Sequence, residues 1–321
     1  MNGHIVGLWK RAKNGAHSFA YASEWLQSRF ATPISLSLPL SSGSYVGAEV
    51  STFFDNLLPD NPDIRRRMQS VLGADTVQPF DLLAAAGADC VGALQLLGTP
   101  DMPEVRRVEA TRVSDADIAT VLRAYRAHPL GMASEDGDFR ISMAGAQEKT
   151  ALLWYENRWH RPRASTPTSH VFKLPIGRIE HAGMDLGASV PNEWLCSRIA
   201  AALGLPVARA EMKRFDGVAV LVVERFDRRW SDDGTWLIRL PQEDLCQALG
   251  VPPGRKYEAD GGPGMVQIMD LLLQSLQPHD DRRTFFRANV VFWLLGAIDG
   301  HAKNFSVFLH PAGRIQLTPL Y

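Results

Sequence analysis

The chain has 321 residues, of which 45% are hydrophobic and 21% are charged, and its formal net charge is −1. These values are typical of a globular protein with room for two domains, and they give no general attraction to nucleic acid or to an anionic membrane. The N-terminus is too polar for a signal peptide, and no apolar run approaches ~18 residues, the length that spans a membrane. Cys90, Cys196 and Cys246 lie too far apart in sequence for a metal motif and do not form an even disulfide set. The sequence therefore predicts a protein of the reducing cytoplasm that is neither secreted nor membrane-spanning.

The first hundred residues predict a small α+β unit in which no residue is assigned chemistry. The predicted elements are strands at residues 4–9, 18–21, 34–38 and 92–97, and helical segments within residues 50–72 and 81–86. Residues 99–104, which include two prolines, are a predicted linker. A helix to about residue 127 follows, because Ser114 and Asp117 have the spacing of a capping box.

Residues 140–154 (RISMAGAQEKTALLW) predict a strand, a turn of small residues and a second strand. Backbone N–H groups in such a turn can cradle phosphates. The turn residues that would do so are Ser142, Ala144, Gly145 and Ala146. A Walker loop is disfavoured because its first glycine and its Gly-Lys pair are absent, so Lys149 is interpreted as a surface charge. The turn is either a phosphate-covering loop or a plain hairpin.

Lys173 lies in a short apolar strand at residues 170–174, and Glu193 lies near the start of a helix predicted to end at Gly204. A lysine on a strand followed by a glutamate on a helix is the arrangement that fixes the phosphate-binding lysine of protein kinases. Two plainer interpretations stay open. Lys173 could be a snorkelling surface residue, and Glu193 could complement the helix dipole.

Residues 217–224 (GVAVLVVE) form a continuous apolar run that predicts a central strand. The run changes abruptly to the charged segment RFDRR. In a kinase this would be the hinge, where backbone groups of Glu224 and Phe226 meet the adenine. The alternative is a strand that simply leaves the core.

Residues 231–281 predict a strand at 236–240, a helix at 242–249 and, after a glycine-rich loop at 256–264, a helix at 265–276. The loop is assigned turn geometry and no chemistry. His279, Asp280 and Asp281 are not predicted to bind a metal, because adjacent side chains converge poorly on one ion.

Residues 289–304 (NVVFWLLGAIDGHAKN) predict an apolar helix that stops at Asp299 and Gly300 and leads into a polar loop. Asp299 and Asn304 are five positions apart, as are the aspartate of protein kinases that accepts the substrate proton and the asparagine that holds magnesium. Two short strands at residues 305–309 and 314–317 predict a hairpin after the loop. The alternative is a helix capped by Gly300, with both polar side chains merely solvated.

The segments ISMAGAQEKTALL, HVFKLPIG, VVERFDRRW, RLPQEDLCQALG, KYEADGGPG and AIDGHAKNFSVFL closely resemble the HipA family, the kinase toxins of bacterial toxin–antitoxin operons. The resemblance implies an α+β, protein-kinase-like fold of two lobes and an ATP- and Mg²⁺-dependent serine/threonine kinase. It implies three regions: a HipA-type N-terminal subdomain at residues 1–105, an N-lobe with phosphate loop and hinge at 106–230, and the start of a helical C-lobe with the catalytic loop at 231–321.

The resemblance also implies roles for residues of the N-lobe. Ser142 matches the serine that these kinases autophosphorylate, which switches them off by displacing the loop from the phosphates. Lys173 matches the phosphate-contacting lysine, with Glu193 as its candidate partner. Glu224 and Phe226 match the hinge that holds ATP.

In the catalytic loop, Asp299 matches the catalytic aspartate and Asn304 matches the asparagine that binds Mg²⁺. His301 and Lys303 share this loop, where the resemblance implies that they support either the transferred phosphate or the shape of the loop.

The partners implied by the resemblance are an aminoacyl-tRNA synthetase as substrate, with glutamyl-tRNA synthetase as the best-known type, and a helix-turn-helix antitoxin of the HipB type. Phosphorylation of the synthetase blocks charging and arrests growth in this family. Operator DNA is contacted mainly through the antitoxin.

The chain departs from the family pattern after residues 318–321 (TPLY), where the family continues directly to a magnesium-binding aspartate. We expect an incomplete helical C-lobe, no measurable phosphate transfer from these 321 residues alone, and an exposed apolar face on the helix within residues 285–298. The alternative function is an inactive remnant that binds the antitoxin or the target.

Overall fold

The computed structural model describes residues 1–99, 102–127, 149–179 and 184–321, and these combine helices and strands in an α+β fold. The helices are α1 Ser23–Leu26, α2 Ala48–Asp55, α3 Pro62–Leu72, α4 Pro79–Ala86, α5 Asp115–Ala127, α6 Ser189–Ala202, α7 Leu245–Ala248, α8 Met265–Leu271 and α9 Pro278–Leu295. The strands are β1 Gly7–Arg11, β2 His17–Tyr21, β3 Ser44–Val46, β4 Ala110–Arg112, β5 Lys149–Tyr155, β6 Arg158–Pro162, β7 His170–Lys173, β8 Gly177–Ile179, β9 Met184–Leu186, β10 Ala210–Phe215, β11 Val218–Glu224, β12 Arg228–Trp230, β13 Leu237–Arg239, β14 Gln242–Asp244, β15 Ser306–Leu309 and β16 Ile315–Leu317. Across the described ranges, no helix combines the length and the hydropathy needed to cross a membrane.

The N-terminal region (residues 1–99) packs α2, α3 and α4 against the antiparallel sheet β1–β2–β3. Phe53, Phe54, Leu82 and Leu83 are fully buried there, so the region has an apolar core of its own elements. This core continues into side chains of the next sheet, which joins the two parts of the molecule without a break.

Two local predictions for this region were wrong. The expected strand at residues 34–38 is reduced to one bridge between Ser35 and Leu38, and residues 92–97 form no strand. The helical segments expected within residues 50–72 are α2 and α3, which a short connection separates. Asn61 ends the connection by accepting the Asp63 N–H as the cap of α3, with a proline following at the first helical position.

The middle of the chain forms an antiparallel sheet whose described strands follow the order β10-β11-β7-β5-β6-β4. The apolar run at residues 217–224 is the buried strand β11, as predicted, and the capping box between Ser114 and Asp117 is also present. Residues 140–148 of the predicted strand and turn lie outside the described residues. In the register between β5 and β7, Lys149 stands directly opposite Lys173.

The last third of the chain packs α7, α8 and α9 against the sheet β14-β15-β16. The predicted hairpin is present as β15 and β16. The helix predicted at residues 242–249 is a short strand followed by α7, whose cap is the Asp244 carboxylate.

Helix α9 ends earlier than predicted, because Gly296 adopts the left-handed conformation (φ 65°) and caps it. Residues 297–301 are therefore a loop, which frees Asp299 from the helix. The helix buries one face, with Phe285 and Val291 in the core, whereas the side of Trp293 is exposed (79%). The apolar face expected to be exposed is thus open to solvent along the last turn and at Ile298 (95%).

Candidate active site

The predicted catalytic loop, residues 297–304, holds Asp299 at the surface, with 73% of its side chain exposed. Tyr257 donates its hydroxyl hydrogen bond to the Asp299 carboxylate, and the Asn304 side-chain N–H donates to the Asp299 carbonyl oxygen. The His301 N–H also donates to that carbonyl at 3.0 Å. The loop therefore presents a carboxylate to solvent from a backbone fixed by its own hydrogen bonds.

His301 and Tyr257 form the wall behind this carboxylate. His301 is buried, its Nε2 lies 3.7 Å from Asp299 Oδ1, and the Tyr257 ring meets the imidazole edge-on at 4.8 Å. Burial and then the positive charge of Lys256 lower the pKa of His301. The hydrogen bond to Asp299 and then burial raise the pKa of Tyr257 to about 12, so at neutral pH the phenol stays a donor to the carboxylate.

Lys303, from the same loop, points into the N-terminal region. Its side chain is 3% exposed, and its Nζ donates to Asp60 Oδ1 at 2.7 Å. Lys256 Nζ donates to the other oxygen, Asp60 Oδ2, at 2.8 Å. Although burial opposes it, the charges of Lys303 and Lys256 lower the pKa of Asp60, which stays ionised between the two ammonium groups.

Lys173 and Glu193 meet across the gap between β7 and α6, with Lys173 Nζ 2.5 Å from Glu193 Oε1. Helix α6 begins at Ser189, so Glu193 lies beyond the first turn, where a contribution to the helix dipole is smaller. The structure thus brings together the two side chains that the sequence paired. Both are partly buried.

The interpretation of Lys149 as a surface charge was wrong. The residue is half-buried, and its place opposite Lys173 in an antiparallel pair puts both side chains on one face of the sheet. Burial and then the charge of Lys173 lower the pKa of Lys149 to about 7. The face that carries the Lys173 and Glu193 pair therefore holds a second lysine.

The predicted hinge lies next to the catalytic hairpin. Strand β11 ends at Glu224, and the Phe226 ring meets the rings of Tyr321 and Phe308 at 5.3 and 5.9 Å. The Tyr321 hydroxyl in turn donates to the Lys303 carbonyl at 3.2 Å. One chain of contacts therefore runs from the hinge to the catalytic loop.

A buried ionic cluster fixes the hinge to the N-terminal region. Its members, each less than a tenth exposed, are Asp89, Arg225, Asp227, Arg228 and Arg239. Arg225 lies 2.8 Å from Asp227, and Arg228 lies 2.9 Å from both Asp227 and Asp89. In the charged run RFDRR, which the sequence marked as the end of the strand, Arg225, Asp227 and Arg228 are thus interior, whereas Arg229 is exposed.

Some predicted site residues are not described by the structure, and some residues found at the site were not predicted. Ser142 and the turn residues Ala144, Gly145 and Ala146 lie outside the described residues. Sequence reasoning missed the contacts of Asp60, Lys256 and Tyr257. The segment KYEADGGPG carried a signal for the last two, because it is one of the strings that resemble the family, but it was assigned only turn geometry.

A magnesium ion would find one suitable ligand at Asn304, whose amide nitrogen is used within the loop so that its oxygen is the atom left to face a cation. Within the described ranges, no group of three His, Cys, Asp or Glu side chains is placed to hold a metal. Among the described residues, Asn304 therefore corresponds to one magnesium ligand of kinases, which combine such an asparagine with an aspartate and the substrate phosphates.

A lysine on a sheet strand paired with a helix glutamate, a hinge strand, and an exposed aspartate followed by asparagine after five positions define a protein-kinase-like fold. The chain belongs to the HipA family. Residues 141–321 match the HipA-like C-terminal domain, and residues 1–97 match the HipA N-terminal domain.

Two relatives and one solved structure place the chain more closely. It is 35% identical over 325 residues to "Putative kinase Y4mE" of Sinorhizobium fredii (strain NBRC 101917 / NGR234), covering 100% of this chain and 74% of the relative. It is 28% identical over 320 residues to "Serine/threonine-protein kinase toxin HipA" of Shewanella oneidensis, covering 95% of this chain and 70% of the relative. The fold matches HipA in the Shewanella oneidensis MR-1 complex of HipA, HipB and operator DNA with a TM-score of 0.79 and 25% identity, over 99% of this chain and 74% of that one.

Proposed function

We propose that this protein is a serine/threonine kinase toxin that transfers the γ-phosphate of ATP to a protein hydroxyl. The observation that carries the proposal is the pairing of Lys173 with Glu193 in a chain that also exposes Asp299 beside Asn304. The named kinases among the relatives support the reaction class.

In this proposal Asp299 accepts the proton of the substrate hydroxyl as its oxygen bonds to the γ-phosphorus. The bond from that phosphorus to the β-phosphate oxygen breaks, and ADP leaves. Lys173 holds the phosphates, Glu193 fixes Lys173, and the backbone at Glu224 and Phe226 receives the adenine. Magnesium, when bound at Asn304, would neutralise charge on the phosphate oxygens.

The substrate we infer is an aminoacyl-tRNA synthetase of the glutamyl type, whose phosphorylation would arrest translation and growth in the cytoplasm. The partner we infer is a helix-turn-helix antitoxin of the HipB type, through which operator DNA is contacted. The solved complex of HipA, HipB and operator DNA supports this partner. Ser142 is the proposed site of regulatory autophosphorylation, where a charge of about −1.5 to −2 would repel nucleotide phosphates.

The test uses protein made from the complete reading frame, incubated with radiolabelled ATP, Mg²⁺ and glutamyl-tRNA synthetase. Asp299→Ala should lower the transfer rate about 100- to 10,000-fold, because a general base is lost. Asp280→Ala, which removes an exposed carboxylate from the first turn of α9, is the control and should leave the rate unchanged. The proposal fails if label transfer is independent of Asp299, and phosphopeptide mapping that places the autophosphorylation away from Ser142 would refute its regulatory role.

A further inference from the structure

We propose that Asp60, contributed by the N-terminal region, is a positioning residue of the kinase that holds the catalytic loop in place through Lys303 and Lys256. This inference rests on the proposed function, because it assigns a part in phosphate transfer to a region in which the sequence marked no chemistry. The family resemblance left open whether Lys303 supports the transferred phosphate or the shape of the loop. Its contact with Asp60 favours a role in the shape of the loop.

The carboxylate of Asp60 is held by a rigid connection between α2 and α3. Arg65 Nε donates to the Pro59 carbonyl at 2.6 Å, immediately before Asp60, and Asn61 caps α3 immediately after it. Asn56 donates from its side chain to the Val251 carbonyl at 3.0 Å, which ties the same connection to the C-terminal part of the chain. Asp60 therefore presents its two oxygens from a fixed position.

Those two oxygens bind two different segments of the site, the catalytic loop and the segment of Lys256 and Tyr257. Oδ1 accepts a hydrogen bond from Lys303, the residue before Asn304, and Oδ2 accepts one from Lys256, the residue before Tyr257. The Lys256 carbonyl accepts a hydrogen bond from the Ala302 N–H at 3.2 Å, so the two segments are also joined to each other. Tyr257 donates to Asp299, so Asp60 is linked to the catalytic carboxylate through Lys256 and to the metal-binding amide of Asn304 through Lys303.

The burial of Lys303 favours a role in loop shape over contact with phosphate. Its ammonium group is enclosed, also lies 3.4 Å from the Asn56 carbonyl, and faces an ionised carboxylate. Reaching a phosphate would break this pair and leave Asp60 buried with one partner. Removing Asp60 would leave Lys303 and Lys256 without their shared counterion, and their mutual repulsion would push the catalytic loop away from the segment of Lys256 and Tyr257.

The test compares Asp60→Asn with Asp81→Asn. Asp81 also belongs to the N-terminal region, forms an ion pair with Arg11 at 2.7 Å, and has a screened side chain (6% exposed, against 18% for Asp60). Amide hydrogen exchange of the peptide covering residues 299–304 should be about tenfold faster in Asp60→Asn than in wild type and unchanged in Asp81→Asn. In phosphate transfer, kcat should fall about 10- to 100-fold in Asp60→Asn while KM for ATP stays within about twofold, because misplacing the loop affects the transition state more than nucleotide binding.

Lys303→Met is the second variant, and it keeps the test valid if Asp60→Asn does not fold. It should produce the same faster exchange and the same loss of kcat. The proposal is overturned if exchange in the loop is unchanged in both Asp60→Asn and Lys303→Met, or if Asp81→Asn has the same effect as Asp60→Asn. It is also overturned if Lys303→Met lowers kcat while Asp60→Asn does not, since Lys303 would then act on the phosphate. A wild-type protein made from the complete reading frame that transfers no phosphate would refute the proposed function, and the exchange experiment would still decide the role of Asp60.

Discussion

Loss of the Asp89 charge should remove a large part of the protein's stability, because Asp89 is a buried counterion that connects the N-terminal region to the predicted hinge. The perturbation is Asp89→Asn, which keeps the size of the side chain and removes its charge. The carboxylate is 4% exposed and lies 2.9 Å from Arg228, 3.3 Å from Arg225 and 3.4 Å from Arg239. It also accepts hydrogen bonds from the N–H and the hydroxyl of Thr168, at 3.0 and 2.7 Å.

The expected magnitude follows from this burial. Removing one partner of a buried ion pair costs about 3–5 kcal/mol, because the remaining charge stays desolvated without compensation. With Asp89 neutral, Arg225 and Arg228 would share the carboxylate of Asp227, and Arg239 would lose the carboxylate that it faces. Domains have a total free energy of unfolding of about 5–15 kcal/mol, so the variant should fold but lose a large part of its stability.

The assay is urea unfolding followed by tryptophan fluorescence, with the free energy of unfolding extrapolated to water. Asp63→Asn is the control, because its pair with Arg66 is exposed on both sides (66% each) and should contribute less than about 1 kcal/mol. A loss below about 1 kcal/mol in Asp89→Asn would refute the reasoning. So would equal losses in the two variants.

Two further predictions concern ligand binding and pH. Lys173→Met should weaken ATP binding about 10- to 100-fold, the usual value of a hydrogen bond to a charged group, and Glu193→Gln should weaken it less. Isothermal titration measures both, and an unchanged dissociation constant for Lys173→Met would contradict the assignment. Burial raises the pKa of Glu243 from 4.5 to about 8, even though Ser35 and the Leu36 N–H donate to its carboxylate. The folded protein therefore binds this proton more tightly than the unfolded chain, so its contribution to stability is complete below pH 4.5 and is lost as the pH rises through 8. Glu243→Gln should remove that loss, seen as a smaller fall in Tm than wild type between pH 5 and pH 8.5, and parallel Tm profiles would contradict it.

Elements with a strong local signal could be predicted from the sequence. The continuous apolar run of β11, the capping box at Ser114 and the hairpin β15–β16 each depend on residues that are neighbours along the chain. The predicted strand at residues 92–97 was wrong, because apolar composition alone does not distinguish a packed irregular segment from a strand. The end of α9 at Gly296 instead of Gly300 has a similar cause, since two glycines compete as caps and only the packed structure selects one.

The sequence by itself determined the order and spacing of the kinase-like elements. The separation of Asp299 from Asn304 and the order of a strand lysine before a helix glutamate are properties of the chain, and both identify candidates without coordinates. They also connect the chain to its family, because long ordered strings of residues can be compared directly.

Only the tertiary structure decided which distant side chains complete the site. Asp60 precedes Lys256 by 196 residues and Lys303 by 243, and Asp89 precedes Arg225 by 136 and Arg228 by 139, so no local periodicity could pair them. Lys149 shows the same limit, because its position opposite Lys173 depends on the strand register. The physical reason is that a sequence does not show which charged residues lie close together in the fold, so each one is expected to be solvated. Folding can bury such a charge when a counterion from another region pairs with it, because an unpaired buried charge costs far more free energy.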